Sequence, residues 1–244
     1  MSGGFKITGV FLFLIGLVIF TIFYAKPRIG SWYREHQITR NKEADLKTIL
    51  REKKLKLGSA VFIRAFKEER ELELFVKNES TRKYELLRTY PIAAASGVLG
   101  PKLAEGDGQV PEGFYFCNQS SMKPDSAFHL AFNIGYPNAY DRAHGRTGSF
   151  IMVHGSNVSI GCLAMTDAKI EEIYTLCQAA LDAGQPVFRV HIFPFRMTEQ
   201  RMRQAASSEH HGFWKNLKTG YDLFETNRVP PDIGVKDKRY TFDS

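Results

Sequence analysis

The 244-residue chain is 43% apolar, enough to bury one large core and too much for a chain disordered throughout. Its 33 Lys and Arg against 26 Asp and Glu leave a net charge of +7, which suits an anionic polymer or lipid surface. No dense basic run carries interleaved aromatics, so nucleic acid is not an expected partner.

Residues 7–25, ITGVFLFLIGLVIFTIFYA, hold 19 uncharged and almost wholly apolar positions. At ~1.5 Å per residue such a helix spans about 28 Å of hydrocarbon, so the stretch predicts a membrane-spanning helix. A cleavable signal needs small residues at −3 and −1, but Phe23 stands at −3 from Ala25 and Lys26-Pro27 follows. An uncleaved signal anchor over 1–27 is therefore expected. A core helix is a poor alternative, because a helix apolar all round at the extreme terminus has little to surround it. Counting positive charges, Lys6 before the helix against Lys26, Arg28, Arg34, Arg40 and Lys42 after it, would by itself keep the main domain cytoplasmic. Long domains often translocate despite such charge, so the chemistry has to arbitrate.

Residues 28–57 are charged, with Ile38, Leu46, Ile49, Leu50 and Leu55 as sparse apolar points, which predicts a helical stalk. The folded domain is expected over 58–197. AVFIRAFKEERELELFV reads as strand, turn at 67–70, and strand, with Leu72, Leu74 and Val76 on one face. YELLRTYPIAAASG predicts a third strand ending at Gly97. The next stretch, GVLGPKLAEGDGQVPEGFYFC, packs five glycines and two prolines and predicts a sharply turning surface rim, the kind of loop that borders sites. FHLAFNIG and SFIMVHG are further strands. Thr166 or Asp167 then N-caps a helix with apolar positions Ile170, Ile173, Tyr174, Cys177, Ala180 and Leu181, closed by Gly184 and Pro186. PVFRVHIFPF is the last core strand. Seven or so strands and one well-signalled helix predict a mainly β, α+β domain of the sandwich kind. Residues 198–244 read as a helical and irregular extension: TEQRMRQAASSEHHGFWKNL is weakly amphipathic and NRVPPDIGVKDKRYTF irregular.

Three cysteines are an odd count, and position separates their roles. Cys117 ends an apolar strand and Cys177 lies on the buried helix face, so both read as small core residues. Cys162 instead follows Gly161 in a loop just before a capped helix, eight positions after His154. A nucleophilic sulfur must become a thiolate, which at neutral pH needs an imidazole or a helix N-terminus nearby. A strand delivering His154 to a sheet edge and a loop turning back through SNVSIG would supply that, while Gly161 would let backbone N–H groups face an oxyanion. On pattern alone the pair is either catalytic or an ordinary strand and loop.

MVHGSNVSIGCLAM, followed by a helix and GQPVFRV, resembles the signature of the YkuD-type L,D-transpeptidases, in which a strand-borne His-Gly precedes a Ser-x-Gly-Cys loop. IRAFKEERELELFV, GVLGPKLAEGDGQVPEGFY, KPDSAFHLAFNIGYPNAYDRAHG, PFRMT and FWKNLKTGYDLFE extend the resemblance, specifically to the YafK-like subgroup, from about Ser59 to about Arg228. It implies a β-sandwich catalytic domain outside the cytoplasmic membrane, and with the apolar stretch at 7–25 as a single-pass inner-membrane anchor the domain is expected in the periplasm. Cys162 is implied as nucleophile, His154 as its base, and the Gly155 carbonyl as the group that orients the ring. The implied substrates are peptidoglycan stem peptides, attacked through an acyl-thioester at diaminopimelate. The subgroup is associated with releasing a lipoprotein whose C-terminal lysine is amide-linked to diaminopimelate. Two departures from the common family pattern stand beside the nucleophile: Ile160 where histidine is usual and Ala164 where arginine is usual. The loop between His154 and Cys162 is also shorter than usual. Together they favour hydrolysis over cross-link formation. The alternatives are a transpeptidase that forms cross-links or attaches proteins, and a non-catalytic peptidoglycan-binding protein.

Among the remaining candidates, His144 in DRAHGRTG is a second site histidine or a surface residue, and Arg142 and Tyr140 could hold a stem-peptide carboxylate. Ser159 donates into the oxyanion region or shapes the turn. No metal or other cofactor is expected: adjacent His210 and His211 would point apart on a helix, and His191 has no Cys, Asp or Glu at ligand spacing.

Overall fold

The computed structural model describes residues 26–243. The apolar stretch at 7–25 lies outside them, and among the described residues no helix is long and apolar enough to cross a membrane. Helix α1 (Lys26–Glu52) leads into β1 (Val61–Phe66), β2 (Glu71–Lys77), β3 (Tyr84–Pro91) and β4 (Ala94–Ala95). After the glycine-rich rim come β5 (Gly113–Cys117), β6 (Met122–Lys123), β7 (Ala131–Asn133), α2 (Ala139–Ala143), β8 (Met152–His154) and β9 (Leu163–Ala164). Helix α3 (Asp167–Asp182), β10 (Phe188–Phe193), α4 (Glu199–Gln204), α5 (His211–Asn227), β11 (Asp232–Lys236) and β12 (Arg239–Asp243) complete the chain.

One sheet is ordered β3-β2-β1-β10-β5, the other β4-β9-β8-β7-β6, and β11 and β12 form a separate hairpin. Pairings are antiparallel except β1 with β10 and β8 with β9. The fold is thus mixed α+β. Both sheets feed one apolar cluster: Ile63, Leu72 and Leu74 come from the first sheet and Phe132, Val153 and Leu163 from the second. The predicted helix stripe of α3, Ile170, Ile173, Tyr174, Cys177 and Ala180, belongs to the same cluster. Thr166 occupies the N-cap position at φ +72° but makes no capping bond, while Gly184 at φ +101° lets the chain leave the other end.

Three segments differ from the sequence expectations. Helix α1 lies against α3 instead of standing free. Leu46 and Leu50 are buried, Lys42 pairs with Glu171 at 3.2 Å, and Tyr174 donates to Glu35 at 2.7 Å. Its apolar points fall on one helical face, which is enough to seat a mostly charged helix. The segment after Met197, expected as a helical and irregular extension, is packed on the first sheet. Trp214, Leu217, Tyr221 and Phe224, three or four residues apart along α5, are buried in clusters with Phe62, Phe66 and Phe193 of the first sheet. Strand β1 is consequently buried on both faces. The supposedly irregular tail forms the β11–β12 hairpin, turning through Asp237 (φ +50°) and Lys238 (φ +57°). A turn with two positive φ values is usually announced by Asn-Gly, and Asp-Lys carries no such signal.

Candidate active site

The His154–Cys162 region is a tight connection between two parallel strands. Only residues 155–162 join β8 to β9, where parallel neighbours commonly need a dozen or more. Ser156 (φ +62°) and Gly161 (φ +80°) make the reversals. The ladder pairs Val153 with Leu163 and His154 with Ala164, so Cys162, one residue earlier, lies beside Met152. On the other flank Ala95 pairs with Leu163, which sets Ser96 beside Cys162. Alternation then decides the faces. Val153 and Leu163 point into the core, whereas His154, Cys162 and Ser96 share the opposite face. His154 and Cys162 are diagonal neighbours, a relation that puts Cβ atoms on the order of 7–8 Å apart, within reach of an imidazole.

His154 is 3% exposed, and its ring packs on Phe128 with centroids 4.8 Å apart. Its Nδ1 lies 2.7 Å from the Gly155 carbonyl oxygen. A carbonyl only accepts, so Nδ1 carries the proton and Nε2 presents its lone pair. Burial depresses the histidine pKa, partly opposed by the Gly155 contact, so the ring is neutral at pH 7. Gly155 cannot take a side chain: a Cβ there would sit 2.6 Å from Asp167 Oδ1 and 2.7 Å from the Phe128 carbonyl. The same Asp167 carboxylate accepts from Ser156 N at 2.7 Å, tying the loop to the first turn of α3.

Cys162 is half-buried and unpaired. Its Sγ accepts from Met152 N at 3.4 Å and donates to the Phe150 carbonyl at 3.7 Å. Burial pushes the thiol pKa up, with the Met152 N–H and the charge of Lys102 opposing. At rest the pair is therefore thiol and neutral imidazole, joined by no direct hydrogen bond. Cys117 and Cys177 are fully buried, and burial raises both thiols far above the usual range.

The backbone donors expected to face an oxyanion are occupied. Gly161 N donates to Ser96 Oγ at 2.6 Å, and Cys162 N donates to Ser159 Oγ at 3.1 Å. Ser96 in turn donates to the Gly108 carbonyl at 2.6 Å, so it bolts the Cys162 loop to the glycine-rich rim. Ser159 closes the turn and keeps its own hydroxyl proton available. A cleft of about 340 Å³, lined by Lys67, Arg70, Ser96 and Val98 among others, opens on the Ser96 side.

Tyr140, Arg142 and His144 are not brought to the thiol. Tyr140 is buried, stacked on Tyr240 with centroids 4.3 Å apart. Arg142 donates to the Pro137 carbonyl, and His144 Nε2 bonds the Lys238 carbonyl at 2.9 Å. Tyr140 and His144 serve the junction with the C-terminal hairpin, whereas the Arg142 contact is local. Ser96, Lys102 and Phe128 were missed in their place. The glycine-rich rim that holds Lys102 was expected to border a site, but no local pattern singles out these three residues, because each reaches the site through strand pairing or loop packing. The mouth is apolar: Phe150 is 68% and Ile160 85% exposed. Among the described residues no group of three or more His, Cys, Asp or Glu could hold a metal ion.

Comparison with known proteins adds an independent line. Residues 60–192 match the YkuD family, the L,D-transpeptidase catalytic domain. Over 184 residues the chain is 50% identical to the protein named "Putative L,D-transpeptidase YafK" in two strains of Escherichia coli, covering 75% of this chain and 74% of theirs. Among solved structures, the helical cell shape determining protein Pgp2 from Campylobacter jejuni is 18% identical, covering 73% of each chain with a TM-score of 0.45. Bdellovibrio bacteriovorus Bd1075 is 17% identical, covering 75% of this chain and 85% of that one, with a TM-score of 0.40.

Proposed function

Since this chain belongs to the YkuD family of L,D-transpeptidase catalytic domains, in its YafK-like subgroup, and is thereby a peptidoglycan-modifying enzyme, we propose that it hydrolyses the amide linking a lipoprotein lysine to diaminopimelate of the stem peptide. Cys162 is the nucleophile and His154 the general base. One observation carries this reading: the two side chains share one face of a parallel ladder, opposite the core residues Val153 and Leu163, with Nδ1 of His154 spent on Gly155 so that Nε2 is the basic atom.

His154 Nε2 takes the Sγ proton as the sulfur attacks the diaminopimelate carbonyl carbon. Negative charge moves to the carbonyl oxygen, and the Ser159 hydroxyl, which accepts from Cys162 N–H and keeps its own proton, is the donor assigned to it in this reading. The C–N bond breaks, the lysine amine leaves with the proton carried on Nε2, and an acyl-thioester remains. Water then gives a proton to Nε2 and its oxygen to the acyl carbon, releasing the carboxylate and the thiol. An amine in place of water would make the reaction a transpeptidation. Ile160 and Ala164 offer no charge to bind a second stem peptide, which leaves water as the readier acceptor.

Residues 7–25 tether the enzyme to the inner membrane in this reading, with the catalytic domain in the periplasm, where peptidoglycan lies. A reporter fused after Ser244 should be active outside the cytoplasm; activity only inside would overturn the placement. The reaction is tested by incubating the protein with peptidoglycan carrying bound lipoprotein and a free amine, with products identified by mass. Released lipoprotein with a free lysine amine is expected, and none from Cys162→Ala of unchanged fold. Mainly amine-transferred product would overturn the hydrolytic assignment, and full activity in the alanine variant the thiol mechanism.

A further inference from the structure

Lys102 is 3% exposed, an unusual burial for a lysine, in the loop that packs on the nucleophile's glycine. Its Nζ donates to Asp107 Oδ1 at 2.5 Å and to the Ala104 carbonyl at 2.8 Å. This loop meets the Cys162 segment directly. Gly161 lies 3.6 Å, measured from the position of an added Cβ, from the Gln109 carbonyl, and Gln109 N donates to Asp107 Oδ1 at 3.0 Å. On its other side the lysine stem packs on the segment leading into β8, which approaches the sulfur. A Cβ on Gly148 would touch Lys102 Cε at 2.8 Å, and two residues on, the Phe150 carbonyl accepts from Cys162 Sγ. The ammonium is thus enclosed between the two segments that flank the thiol.

Loop closure alone does not account for the lysine. Asp107 already closes the turn by accepting from Leu103 N at 2.9 Å and Ala104 N at 3.0 Å. Burial would raise the Asp107 pKa, but Lys102 and these N–H groups outweigh it and hold the carboxyl down to about 2. A buried cation costs desolvation that one carboxylate only partly offsets. His154, buried and neutral, contributes no positive charge of its own to the thiol at rest.

We propose that Lys102 is a positioning residue of the thiol site: its buried ammonium favours the thiolate of Cys162, and Asp107 sets how much of that charge the sulfur feels. The direction of Lys102's influence on the thiol agrees. The value of such a charge to catalysis rests on the reading of Cys162 as nucleophile, whereas the charge effect itself is measurable without substrate.

The test is the pH dependence of Cys162 alkylation by iodoacetamide in the purified full-length protein, followed by mass on the Cys162 peptide. A neighbouring unit charge moves a pKa by about one unit or more, and one unit is tenfold in thiolate at neutral pH. Lys102→Gln should therefore raise the titration midpoint and slow alkylation about tenfold near pH 7, while Lys102→Arg keeps it near wild type. Asp107→Asn leaves an amide oxygen for the loop and releases the ammonium from its counter-charge, so its midpoint should fall. Opposite signs are the signature, because a lysine that merely holds the loop would make both variants loosen the site in the same direction. A midpoint unchanged or raised in Asp107→Asn overturns the proposal, and this arm decides by itself if Lys102→Gln fails to fold. Alkylation that behaves as described in a protein without amidase activity would sink the proposed function and leave the electrostatic assignment standing.

Discussion

Ser96→Ala removes one hydroxyl from the sheet position beside Cys162, and the structure fixes what that should cost. Two hydrogen bonds at 2.6 Å disappear together, from Gly161 N and to the Gly108 carbonyl. The two orphans are unequal. Gly108 is only half-buried and can take a water, but Gly161 is buried, so its N–H is left unsatisfied. An orphaned buried donor costs roughly 1–3 kcal/mol, so about 2 kcal/mol of stability should be lost in urea unfolding. The strain falls on the residue preceding Cys162, the proposed nucleophile. If the segment relieves it by drifting from its attacking position, kcat/KM should fall about 30-fold, since ~1.4 kcal/mol is a factor of ten. Ser96→Thr, which keeps the oxygen, should restore most of both. A Ser96→Ala protein that unfolds within about 0.5 kcal/mol of wild type and turns over at the wild-type rate would refute the reasoning, because Gly161 would then not depend on the serine.

Three further outcomes follow from the same geometry. His154→Ala should slow acylation of Cys162 by ~10²–10⁴-fold while substrate still binds; an unchanged single-turnover rate removes it as base, and His144, committed to the Lys238 carbonyl, is not placed to replace it. Gly155→Ala forces a Cβ to within 2.6 Å of Asp167 Oδ1 and 3.0 Å of His129 Cβ, so about 1–3 kcal/mol of stability should go, together with the hold on the His154 ring. A melting temperature equal to wild type would show that the loop gives way freely. Burial, and then the charges of Arg189 and Arg64, set the pKa of His191 well below its usual value, and burial lowers that of His154 too. The unfolded chain thus binds protons that the folded one refuses: this stability is complete above about pH 6.5 and is lost as pH falls below it, by up to ~1.4 kcal/mol per unit for each histidine. His191→Phe should flatten that acid slope, and an identical slope in urea titrations at successive pH values would count against the assignment.

The sequence by itself carried the elements whose cause is local. Alternation set β1 and β2, since Leu72, Leu74 and Val76 can be buried together only on one face of a strand. Helical spacing and Gly184 set α3. The MVHGSNVSIGCLAM stretch singled out Cys162 and His154, and Gly161 at φ +80° shows why a glycine stands before the cysteine in so tight a reversal. Along α5 the Trp214, Leu217, Tyr221 and Phe224 stripe was present to be read, but the charges between them diluted it. What the sequence did not contain was set by pairing between segments far apart in the chain. Ser96 meets Gly161 because β4 runs beside β9, and Lys102 reaches the thiol's surroundings because a glycine-rich loop folds back on residue 161. Tyr140 and His144 stand near His154 in sequence, yet the β11–β12 hairpin, closed through a turn with no glycine to announce it, draws them to Tyr240 and Lys238 instead. Spacing along a chain limits how far apart two side chains can be. Which of them meet is decided by which strands hydrogen-bond, and that choice belongs to the burial of both sheets in one core rather than to any short stretch of residues.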